Sequence, residues 1–184
     1  MDTNVADPLA GGLAHSDRLV LVWRSLPELP DAVALTECNR AAAALLGLVS
    51  GLEEQPPPLD EPPELISHLH RLDQKLDRLL DLCGQLVSRE LALPAPLPLR
   101  LGARGVVWQP STPPPQGPAW ISLYLRPSLP TPLELPALLA PLPDGSVLAE
   151  FYGLDRAVID GLERFVFRRH RRAVALAKRP SHSA

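Results

Sequence analysis

Leu65, Leu69, Leu72, Leu76, Leu79, Cys83 and Leu86 follow one another at alternating spacings of four and three residues. A seam of a and d positions held for three heptads restricts the chain to a helix that packs lengthwise against other helices. With Leu69 at a, the residues Ile66, Leu80 and Val87 fall at e and Leu82 at g. The apolar stripe is therefore wider than a two-stranded seam and suits a bundle of three or more helices. Asp73, Asp77 and Asp81 alternate with Arg71, Lys75 and Arg78 on the outer face, where each i,i+4 pair contributes about 0.2–0.5 kcal/mol. Pro62 and Pro63 suit the first turn and Pro94 stops any continuation, placing the helix at 63–91.

A second helix is expected over Ala32–Gly51, capped by Asp31. It could return through a turn at Gln55–Pro58 and pair with the long helix inside one chain. Two helices alone leave part of the wide stripe wet, so self-association through the seam and a closed monomer both remain open.

Composition excludes several classes. The 184 residues are 46% hydrophobic and 4% aromatic, which is enough for a core built of Leu, Val and Ala. No uninterrupted apolar run approaches about 18 residues, so no membrane span is expected, and Met1–Asp7 lacks the basic start of a secretory signal. Cys38 and Cys83 have no metal or redox spacing around them, and a disulfide is a poor fit to a chain with no export signal. The expected location is the cytoplasm. No phosphate-binding glycine loop, dinucleotide fingerprint or nucleophile elbow is present. The histidines are scattered, and His68 and His70 point about 200° apart on a helix. No catalytic residue, metal ligand or cofactor is assigned, and the chain is expected not to be an enzyme.

After Arg89 the helical pattern stops. Fourteen of the 23 prolines lie between Pro94 and Pro143, a density no helix tolerates. Short strand-like runs lie between them: Leu97–Leu101, Val106–Trp108, Trp120–Leu125, Pro132–Leu135 and Val147–Phe151. Asp144-Gly145 is a strong hairpin turn. This pattern predicts a small antiparallel barrel, with proline at strand ends and edges. A last helix is expected from Asp155, its cap, to about Ala177, with Val158, Ile159, Leu162, Phe165 and Val166 facing inward.

Charge is uneven. Residues 1–94 hold 7 basic and 15 acidic side chains, a net of −8, whereas residues 156–184 hold 8 and 2, a net of +6. Arg164, Arg168, Arg169, His170, Arg171 and Arg172 crowd two turns of the last helix. Three functional readings compete: a phosphate site, since arginine forks match phosphate oxygens; a nucleic-acid or membrane-surface patch; and a dock for an acidic partner, including the acidic first half of this chain. A solvated helix end complementary to the helix dipole explains the run equally well. An overall pI near 5.9 and the lack of a binding motif argue against nucleic acid.

The order of four stretches, His68–Leu86, Leu99–Trp108, Trp120–Leu125 and Leu162–Ala173, resembles the PilZ family of bacterial cyclic di-GMP receptors, and more narrowly its atypical tetrameric branch. The resemblance implies an α+β fold: long helices forming an oligomerising bundle, then a six-stranded antiparallel barrel and a C-terminal helix. The implied division is an N-terminal strand and helical oligomerisation region at 1–94, a barrel with its basic helix at 95–178, and a flexible tail at 179–184. It implies a homo-oligomer, by resemblance a tetramer, with cyclic di-GMP or another signalling protein as further partners.

The family's ligand motifs are an R-x-x-x-R segment before the barrel and a D/N-x-S-x-x-G turn within it. Here the turn reads Arg100-Leu101-Gly102-Ala103-Arg104-Gly105, and only Gly105 matches; Leu91–Leu99 contains no arginine. Arg168 and Arg172 have the R-x-x-x-R spacing but lie on the C-terminal helix. The expected reading is thus a self-associating scaffold or adaptor with degenerate ligand motifs. The alternative is a genuine receptor using Arg168, Arg169 and Arg172 with Arg100, Arg104 and Gly105.

Overall fold

In the computed structural model, residue 9, residues 12–53 and residues 63–177 are described. The turn expected at Gln55–Pro58 and the tail at 179–184 lie outside them. Six strands, β1 (Ala14–Ser25), β2 (Leu97–Gly102), β3 (Gly105–Trp108), β4 (Gly117–Tyr124), β5 (Leu133–Pro141) and β6 (Val147–Phe151), close into a barrel in the order β1-β2-β3-β6-β5-β4. Every neighbouring pair is antiparallel. Three helices, α1 (Ala32–Glu53), α2 (Pro63–Glu90) and α3 (Arg156–Ala177), complete the α+β fold.

The barrel closes through β1. Its first half pairs with β2 (Ala14 opposite Gly102) and its second half with β4 (Val20 opposite Tyr124). The N-terminal strand is therefore part of the barrel, and a division at residue 94 would cut through it. Alternation along each strand turns Leu101, Val106, Ile121, Leu123, Leu133, Leu135 and Val147 into the interior, where all are buried. Each such side chain contributes roughly 1.5–3 kcal/mol by leaving water. β5 runs on well past the expected Pro132–Leu135, with Pro136 inside it. The position is tolerable because Pro136 lies one residue beyond the Ala137–Phe151 pair that ends the β5–β6 ladder. It loses no ladder donor there, and its carbonyl accepts from Tyr152 N at 2.8 Å. The Asp144-Gly145 turn forms as expected, with Gly145 at φ +82° and Asp144 accepting from Ser146 N and Oγ.

Both expected helix caps are present: Asp31 Oδ1 accepts from Ala34 N at 2.8 Å, and Asp155 Oδ1 from Val158 N at 2.9 Å. The partner of α1 differs from expectation. Its buried Ala42, Leu46 and Val49 join one core with the barrel and with Val158, Leu162, Phe165 and Val166 of α3. Asn39, buried on the same face, donates to Gly153 O and accepts from Asp155 N, tying the β6–α3 connection to α1. So α1 packs on α3 and β5 rather than forming a hairpin with α2. α1 is also long and apolar enough by length and composition to cross a membrane, although polar residues interrupt its apolar runs; here its buried face packs on the barrel and α3.

Candidate functional site

On α2, the seam lies open. Leu65, Leu69, Leu72, Leu76, Leu79 and Leu86 are 39–62% exposed, and Cys83, Leu80, Leu82 and Val87 are exposed with them. α2 meets the barrel at Gly84, which is buried. A Cβ there would lie 2.5 Å from Pro127 O and 2.6 Å from Ser128 Cα, so only glycine lets the helix rest on the β4–β5 loop. Nothing in the heptad pattern marked Gly84, because its role is set by a loop more than forty residues further along the chain. Cys38 and Cys83 are free thiols. Burial, reinforced by the Glu134 charge, pushes the Cys38 thiol up to about 11, and it donates to Glu134 O at 3.2 Å, so it is held as an unreactive thiol.

Arg168, Arg169 and Arg172 of the basic run are turned toward their own chain, whereas Arg164, His170 and Arg171 are exposed. Glu53, the last residue of α1, has a side chain only 3% exposed, and three arginines surround it. Arg168 Nε lies 3.6 Å from Oε2, with Arg169 Nη2 at 3.8 Å and Arg172 Nη1 at 3.7 Å from Oε1. Arg168 also donates to Ser50 Oγ, Arg172 to Glu53 O at 3.4 Å, and Arg169 to Leu125 O at 2.9 Å. Arg169 further pairs with Asp17 of β1 at 3.4 Å. The physical cause is direct: the C-terminal end of α1 carries partial negative charge, and Glu53 adds a full one in a buried place. Cations from α3 offset both. Of the readings open at the sequence level, docking onto the acidic first half of the same chain describes these contacts. Glu53 and Asp17 had no sequence signal, being acids far from the run in sequence. Beside the cluster, His15 and His170 meet edge to face at 6.0 Å. Burial holds the His15 imidazole below its ordinary pKa, with His170 and Arg169 pushing the same way and Asp17 opposing them.

At the β2–β3 turn, Arg100 and Arg104 are exposed. Gly105 is required because a Cβ would come 2.8 Å from Ala149 O across the β3–β6 pair. Leu9 is buried beside this turn, its Cδ2 3.4 Å from where a Gly105 Cβ would stand. A cleft of about 500 Å³ separates the turn from α3; Arg104 and Arg164 line it, balanced by Glu150 and Glu163. Arg100 faces a different groove, with Asp17 and Asp144. The candidate ligand residues thus occupy three separate surroundings. Because β1 opens the barrel, the segment before it is residues 1–13, not Leu91–Leu99, and it too contains no arginine. Among the described residues no cluster of His, Cys, Asp and Glu could hold a metal ion.

The sequence matches the family model of the atypical PilZ domain, described as a cyclic di-GMP receptor, over residues 45–179. No curated protein matches the chain significantly. Among solved structures, a similar fold is that of a pathogenic protein from Xanthomonas campestris, described as a new tetrameric PilZ domain self-assembled via an unusual helical bundle. It is 26% identical, with a TM-score of 0.64, and the alignment covers 90% of this chain and 92% of that one.

Proposed function

Because the chain belongs to the atypical PilZ domain family of cyclic di-GMP receptors, we propose that it is a non-enzymatic bacterial signalling protein of the cytoplasm that self-associates through α2 and serves as a scaffold or adaptor. The observation that carries this reading is the open seam on α2, six leucines each about half exposed, whereas α1 and α3 each place an apolar face in the shared core and leave only scattered apolar side chains such as Val33, Leu48 and Phe167 exposed. Covering the remaining area stabilises an assembly by roughly 1 kcal/mol per leucine. The Xanthomonas campestris protein, tetrameric through a helical bundle, supports a tetramer here. In this division of labour α2 assembles the subunits, and the barrel with α1 and α3 presents the working surface.

The usual ligand motifs are degenerate on this reading. Only Gly105 of the turn survives, and its role is accounted for by the close β3–β6 approach. A receptor built on Arg168, Arg169 and Arg172 would have to compete with Glu53 and Asp17 for those same guanidinium groups. The deciding experiment is molar mass by light scattering. Leu72→Asp with Leu79→Asp is expected to reduce the assembly to the 20.0 kDa protomer, because buried unpaired charge is costly. A folded double variant with unchanged molar mass would sink the proposal.

A further inference from the structure

Three arginines far apart in the sequence meet where α2 joins the barrel. Arg18 of β1, Arg89 in the last turn of α2 and Arg126 just past β4 line a groove of about 550 Å³. The linker Ala92–Pro96 and the Pro127–Pro130 loop line it too, as does Tyr124. Among the described residues no Asp or Glu lines it. This sets it apart from the turn cleft, where two arginines face two glutamates, and from Arg168, Arg169 and Arg172 of α3, which pair with Glu53 and Asp17. Three like charges around one groove repel each other, in a chain whose net charge is −3.

The groove is held in shape. Arg18 Nη2 donates to Pro96 O at 3.0 Å, fixing both the linker and the guanidinium. Gly84 lets α2 lie on the loop that carries Arg126. Arg126 Nη1 is shut off from solvent with no hydrogen-bond partner among the described residues. The guanidinium forks of the arginines that line the groove match an anion with several oxygens. The volume lies within the usual range for small-molecule sites, and the Tyr124 and proline surfaces offer an apolar plate beside the charge.

We propose that this groove binds a small phosphate ester, with the phosphate oxygens on Arg18, Arg89 and Arg126 and the planar or apolar remainder against Tyr124 and the prolines. The site is separate from the β2–β3 turn and from α3, and it does not depend on the assembly reading. The test is calorimetric titration of the full chain with inorganic phosphate, GMP and cyclic di-GMP in turn, at fixed ionic strength. Saturable binding of at least one ester, tighter than inorganic phosphate, is expected; which ester binds best separates a mononucleotide from a cyclic dinucleotide. Arg126→Gln and Arg89→Gln should each weaken it about tenfold to a hundredfold, whereas Arg104→Gln with Arg164→Gln in the turn cleft should leave it unchanged. Arg89 is exposed, so its variant keeps the test valid if Arg126→Gln fails to fold. Three outcomes would overturn the proposal: no ester binding to the folded protein, binding indifferent to Arg89 and Arg126, or capture of a poly-glutamate peptide with no ester binding, which would make the groove a protein dock.

Discussion

The helices α1 and α2 follow one another in the chain and contain 22 and 28 residues, yet they meet opposite fates. α1 is the more apolar, and its buried face is covered by the barrel and α3 of the same chain. α2 is more polar on average but sharply two-sided, and its leucine seam stays open. Apolar content therefore does not say what covers a helix. What separates the two is the set of specific fastenings on α1, namely Asn39 to the β6–α3 connection and Glu53 to three arginines, whereas α2 rests on the barrel at the bare backbone of Gly84.

The sharpest way to break this contrast is to unfasten α1. Glu53→Ala leaves Arg168, Arg169 and Arg172 facing one another and is expected to cost about 3–5 kcal/mol in denaturant unfolding. A loss below about 1 kcal/mol would mean the cluster is a solvated helix end. Next comes a matched pair of truncations. Leu46→Ala, in the shared core, should cost about 2–5 kcal/mol whatever the protein concentration. Leu76→Ala should cost the protomer under about 1 kcal/mol and show its effect instead as easier dissociation on dilution. Equal, concentration-independent losses would erase the distinction between the helices. The smallest effect is on pH. The folded chain holds His15 below its ordinary pKa, so the unfolded chain takes up a proton first as pH falls. The contribution is fully present above about pH 6.5 and declines below it, and His15→Gln should flatten that acid-side slope slightly. A steeper slope in the variant would contradict the sign.

What the sequence made legible was local. The caps at Asp31 and Asp155, the Asp144-Gly145 turn and the helix that carries Leu65–Leu86 all write their structure within a few residues, and each formed as the pattern required. What it hid was set at a distance. β1 could not be assigned its partners because β2 lies beyond two helices, and β4 further still. Pro136 reads as a strand breaker until the register shows that the β5–β6 ladder has already ended beside it, while the β4–β5 ladder runs on opposite Trp120. The arginines told a similar story. The run at Arg168–Arg172 was conspicuous, but its partners Glu53 and Asp17 lie far upstream in no motif. Arg18, Arg89 and Arg126 form no motif at all and converge only through the fold.

The pairing of Ala14 with Gly102 also sets an order of events in synthesis. Residues 26–96 must emerge before β1 can find β2, so the barrel is closed across a long excursion, and such non-local pairing is slow. The leucine helix is complete while the barrel is still an open chain with unpaired strand edges, the stage at which neighbouring copies are most prone to aggregate. The length of the excursion itself adds little to the cost of closure, about 0.6 kcal/mol per doubling, so delay rather than instability is what the insertion imposes on this barrel.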